Sequence, residues 1–135
     1  MSPLLAFPMA AHVAWAAVLY LALTLARAPA VWGVGRRRDG SNPWARWEPR
    51  ISANLSNQFE WPLFFHVGCV VAMLLQRGPD RVALVLAWGF IAGRILHSAV
   101  QILTTNIRLR GLVFTLNFVA VLALWGVIVQ LALKW

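Results

Sequence analysis

From Leu4 to Ala26 the chain carries no Lys, Arg, Asp or Glu, and three further stretches, Ala53 to Gln76, Val82 to Leu103 and Gly111 to Leu133, are of similar length and nearly as apolar. Each is close to the ~20 residues that cross a ~30 Å hydrocarbon layer as a helix. A backbone in lipid must satisfy its own N–H and C=O groups, and helices do so within one segment. With 135 residues and four such stretches, no length remains for a soluble domain. The expectation is a single all-α domain spanning residues 1–135, an up-down bundle of four transmembrane helices. The 61% hydrophobic content and only four acidic side chains agree with that class.

The formal charge of +8 invites a nucleic-acid reading, but its distribution argues for none. Arg27, Arg36, Arg37, Arg38, Arg46 and Arg50 crowd the first loop, and Arg108 and Arg110 the third. Only Arg77, Arg81 and Lys134 fall on the opposite side. An even number of spans puts the first and third loops on one face, so the positive-inside rule places them in the cytoplasm and both termini outside it. The Arg36–Arg38 run reads chiefly as a topology signal, with anionic lipid headgroups as its partners.

Nothing at the N-terminus reads as a cleaved signal, since a basic leader is missing and the first apolar stretch is long enough to remain as an anchor. The first loop, GVGRRRDGSNPW at its centre, signals turns at Asp39-Gly40 and Asn42-Pro43. Gly33 and Gly35 follow no strand and complete no dinucleotide fingerprint. Trp32, Trp44 and Trp47 fit an interfacial aromatic belt. Arg77-Gly78-Pro79-Asp80-Arg81 reads as a tight turn that makes spans two and three neighbours. The single cysteine, Cys69, excludes an internal disulfide and argues against a cysteine-type zinc site. His12 and His66 sit at similar depth in spans one and two, so a bis-histidine haem between them competes with ordinary hydrogen-bonded packing.

Two polar stripes interrupt the apolar stretches. A helix turns 100° per residue, so in the second span Arg50, Asn54, Asn57 and Glu60, spaced four, three and three residues apart, share a face. In the third span Arg94, His97, Ser98, Gln101 and Thr105 do the same. An arginine in mid-span must face protein or water, because lipid costs it at least ~2.5 kcal/mol. For Ser98 and Thr105 interhelical hydrogen bonding suffices. Two opposite charges and an imidazole, Glu60, Arg94 and His97, are more than packing requires. Counting depth from the shared end predicts a polar ladder, with Asn54 near Gln101, Asn57 near His97, and Glu60 paired to Arg94 as the innermost rung.

NQFEWPLFF and GRILHSAVQILTTNIRLRGLVF together resemble the MAPEG superfamily, the membrane-associated proteins of eicosanoid and glutathione metabolism, and its bacterial branch in particular. The resemblance runs over all four spans and is most specific between Arg50 and Phe114. It implies a homotrimer of four-helix subunits that binds glutathione as co-substrate between subunits, near the cytoplasmic face. Activity would be that of a glutathione-dependent transferase or peroxidase on apolar electrophiles or lipid hydroperoxides that arrive through the bilayer. The family's R-x-x-x-N-x-x-E motif maps in part: Arg50 and Asn54 match, Asn57 stands where the acid belongs, and Glu60 lies one turn deeper. With Arg94, His97 and Arg108, these are the candidate contacts of the tripeptide. The family's thiolate-stabilising arginine at the start of the fourth helix maps to Arg110, with Arg108 as competitor. A tyrosine near the thiol has no counterpart, since Tyr20, the only tyrosine, lies on the first span. The incomplete motif also admits a catalytically silent scaffold or accessory subunit.

Overall fold

The computed structural model describes residues 3–75 and 80–134. A short 3-10 turn, Pro3–Leu5, leads into α1 (Ala6–Trp32), followed by α2 (Glu48–Ser56), α3 (Pro62–Leu75), α4 (Arg81–Leu103) and α5 (Ile107–Ala132). All regular structure among the described residues is helical. Among the described residues three helical segments, Pro3–Trp32, Arg81–Leu103 and Ile107–Ala132, are long and apolar enough to cross a membrane.

The second crossing differs from the expected continuous helix over 53–76. Its backbone leaves the helix after Ser56 and re-enters at Pro62. Proline has no N–H to donate to the carbonyl of Gln58, its ring clashes there, and it disfavours helical geometry at Trp61 before it. At the first position of α3, where an N–H would be unpaired in any case, the same residue is well placed. The described part of α3, 14 residues, is ~21 Å long. The second apolar stretch is therefore, among the described residues, a broken helix made of α2, a turn at 57–61, and α3.

The helix ends follow local chemistry. Gly33, at φ 73°, closes α1 in the left-handed region, where only glycine is free of strain. Arg36 then donates to the carbonyls of Pro29 (2.6 Å) and Ala30 (3.1 Å), a cation at the negative end of the helix. Both expected turns are present. Ser41 donates through N and Oγ to Asp39 (2.9 and 2.7 Å), which holds that carboxyl below its usual range. The Asn42 side chain accepts from Trp44 N (2.9 Å). Arg27 pairs with Glu48 at 2.6 Å and ties α1 to α2. Asp80 caps α4 by accepting from Ala83 N (3.0 Å), and Asn106 caps α5 through Leu109 N (3.0 Å). The rest of the expected turn at 77–81 lies outside the described residues, apart from Asp80 and Arg81.

Two apolar clusters hold the helices together. One joins α3, α4 and α5 through Phe65, Cys69, Ala83, Phe90, Val121 and Leu124. The other joins α1 to α2 through Leu19, Leu23, Ile51 and Leu55. Lipid is as apolar as these side chains, so close packing and hydrogen bonds rather than water exclusion supply the preference for helix–helix contact. Small residues permit it. Gly93 lies so close to Asn117 of α5 that an added Cβ would collide with the Asn117 amide oxygen.

Candidate functional site

A polar seam runs between the two apolar clusters. His12, Asn54, Gln58, Arg94, His97, Ser98 and Gln101 are all buried. Asn54 and Asn57 both donate to Gln101 Oε1, at 2.8 and 3.2 Å. The expected Asn54–Gln101 rung is thus present, whereas Asn57 reaches Gln101 rather than His97. Arg50 donates to the Ile102 carbonyl (3.2 Å) at the C-terminal end of α4, where a cation is favourable.

The innermost rung is not the expected one. Glu60 lies in the turn and is exposed, and the only ion pair among the described residues is Arg27–Glu48. The count of one residue per 100° fails once the helix ends at Ser56, so Glu60 leaves the face that Arg50 and Asn54 share. Arg94, 1% exposed, donates from Nε to Gln58 Oε1 (3.2 Å) and from Nη2 to the Asn57 carbonyl (3.0 Å). Backbone freed from a helix at membrane depth persists only where protein re-satisfies it, and Arg94 does that here.

Gln58, outside both of the stripes expected from spacing, is the hub of the seam. Its Oε1 also meets His12 Nε2 (3.0 Å), and its amide nitrogen approaches Asn54 Oδ1 (3.2 Å) and, at longer range, Ser98 Oγ (3.4 Å). The signal was present as Arg50, Asn54 and Gln58 at steps of four, the true buried face of α2 and its extension. Ser98 in turn accepts from Trp15 Nε1 (3.0 Å), joining α1 to α4.

The haem alternative fails on geometry. His12 Nδ1 and His66 Nε2 face each other at 3.0 Å as a direct hydrogen bond, whereas an iron between them needs roughly 4 Å, about 2 Å to each nitrogen. No cluster of three or more metal-ligating side chains occurs among the described residues.

Beside the seam, where α4 meets the start of α5, two open cavities adjoin. One, of about 450 Å³, is lined by Asn57, His97, Gln101, Ile107, Arg110, Gly111 and Phe114. The other, of about 280 Å³, is lined by Pro49, Arg50, Ala53, Gln101, Thr104, Thr105 and Arg110. Arg110 and Gln101 border both. The structure therefore brings Arg50, Asn57, His97 and Arg110 to one place. It leaves Asn54 and Arg94 behind the wall as supports, and puts Glu60 and Arg108 on neither lining. Within reach of this wall, His97 Nδ1 and Arg94 Nη1 are buried without a hydrogen-bond partner. The charge is lopsided: cations and amide donors, with no carboxylate on either lining. Arg110 also stands in the first turns of α5, the positive end of the helix, where a cation is intrinsically disfavoured and an anion is welcome.

Apolar membrane-length helices, a crossing broken at a proline and a donor-rich cavity at the loop end of the seam define a multi-pass helical membrane protein with a small polar site. The chain belongs to the MAPEG family, whose family model matches residues 5–130. No curated protein and no solved structure shows significant similarity to it.

Proposed function

We propose that the protein is a glutathione-dependent transferase or peroxidase of a bacterial inner membrane, working as a homotrimer on apolar electrophiles or lipid hydroperoxides. The observation that carries this reading is the position of Arg110, which borders both cavities in company with Arg50, Asn57 and His97. Glutathione is an anionic tripeptide, and a donor-rich site without carboxylates suits it. Arg50, Asn57 and His97 are its contacts; Asn54 and Arg94 hold the wall in shape. A guanidinium beside the sulfur favours the thiolate, the nucleophilic form. That thiolate attacks an electrophilic carbon, forming the C–S bond while the displaced electron pair departs with the leaving group or takes up a proton. With a hydroperoxide, two glutathiones supply two electrons and leave as the disulfide, giving an alcohol and water.

Reduced glutathione is expected to raise the thermal stability of the solubilised protein in a dose-dependent way, by about 2.7 kcal/mol at a hundredfold excess over Kd. Arg110→Ala is expected to abolish the ultraviolet absorbance of bound thiolate, and Arg108→Ala to retain it. No stabilisation by glutathione would favour the silent scaffold instead, and loss of the thiolate signal in Arg108→Ala alone would transfer the role to that residue.

A further inference from the structure

A third cavity, of about 330 Å³, lies on the other side of the seam between α1 and the turn leading into α3. Its lining includes His12, Ala16, Tyr20, Gln58, Leu63 and His66, and it shares no residue with the cavities beside Arg110. From His12 to Tyr20 the lined face of α1 extends ~12 Å. Most of it is apolar; the Tyr20 ring stands at one end, and Gln58 and the two histidines meet at the other.

The hydrogen-bond polarity at that end is fixed from Arg94 outward. A guanidinium only donates, so the Gln58 atom facing Arg94 Nε at 3.2 Å is the amide oxygen. The same oxygen faces His12 Nε2 at 3.0 Å, which obliges that nitrogen to carry the proton. In the neutral ring His12 Nδ1 is then a bare acceptor, and it takes the proton of His66 Nε2, 3.0 Å away. His66 is left with Nδ1 unprotonated and with no hydrogen bond among the described residues. Its half-buried ring lines the cavity. One arginine thus dictates two tautomers and ends the chain in a lone pair.

We propose that this cavity is a binding site for a long-chain apolar molecule ending in a neutral O–H donor, taken from the bilayer, with His66 Nδ1 accepting that hydrogen bond. A hydrocarbon leaves the acceptor unpaired, and a carboxylate sets its oxygens against the lone pair, so an alcohol is preferred over both. Binding here is separate from the glutathione reading and does not depend on it.

The test uses the full chain in bilayer nanodiscs with isotope-labelled histidine, followed by nitrogen NMR at mildly alkaline pH. The expected result is Nε2–H tautomers for both His12 and His66, and a shift of the His66 Nδ1 resonance on adding decanol that neither decane nor decanoate reproduces. His66→Phe is expected to weaken decanol binding about fivefold to tenfold, the effect of one hydrogen bond. Should that variant fail to fold, the three-ligand comparison on the unaltered chain decides alone. A proton on His66 Nδ1, or equal responses to decanol and decane, overturns the proposal.

Discussion

Arg94 donates from Nη2 to the main-chain carbonyl of Asn57 at 3.0 Å, so a side chain of α4 supplies the donor that a continuous helix would have drawn from the Trp61 N–H. The pairing explains why an arginine is found 1% exposed in a membrane-length helix. It gives the Asn57 carbonyl a donor at the break, and through Gln58 it orders the polar seam on both sides.

This arrangement leaves Arg94 and Glu60 without a direct ion pair among the described residues. Arg94→Leu strands the Asn57 carbonyl and removes one of two donors to Gln58 Oε1, and it is expected to cost about 3 kcal/mol. Glu60→Gln, at an exposed turn position, is expected to change stability by no more than about 0.5 kcal/mol. Denaturation of the two single variants and the double variant should be additive. A coupling above about 0.5 kcal/mol would restore the direct charge pair that the sequence suggested.

Gly93 and Asn117 make a second pair. A Cβ at position 93 would meet the Asn117 amide, itself 1% exposed and with Nδ2 unpartnered. Gly93→Ala is expected to destabilise by about 1–3 kcal/mol through overpacking. Gly93→Ala with Asn117→Ala should recover most of that loss in the same melting assay; if the loss stays unrelieved, the clash lies elsewhere.

Ser98 joins α1, α4 and the turn at 57–61 by accepting from Trp15, approaching Gln58 and donating to the Arg94 carbonyl. Ser98→Ala leaves the part-buried Trp15 indole N–H without its acceptor, for an expected cost of about 1–3 kcal/mol. Adding Trp15→Phe to Ser98→Ala should cost less than Trp15→Phe costs in the parent chain. Equal costs in both backgrounds would remove the hydrogen bond from the account.

The loop between α1 and α2 is expected in the cytoplasm, because its four arginines, with Arg27 and Arg50 on the flanking helices, outweigh the three basic residues on the opposite face. A cysteine at Ser41, in a chain whose buried Cys69 has been replaced, should resist a membrane-impermeant thiol reagent in intact cells. Rapid labelling would reverse the orientation.

Much of this protein was legible in the chain itself. Apolar runs of bilayer length, the turns at Asp39 and Asn42 and the pairing of Asn54 with Gln101 follow from composition, spacing and local hydrogen bonding, which a sequence carries directly. The MAPEG motifs around NQFEWPLFF led to the family for the same reason. Tertiary structure alone decided what Arg94 touches. Periodicity assigned Glu60 to its face on the premise of an unbroken helix; Pro62 ends that premise, and where the freed carbonyls find donors depends on the neighbouring helix. The roles of Gln58, His12 and His66 were hidden likewise, because a hydrogen-bond chain across α1, the turn, α3 and α4 has no signature within any one segment. Length and pattern set which segments enter the membrane, and the need to satisfy every polar atom there, met only by side chains distant in sequence, set how they are joined.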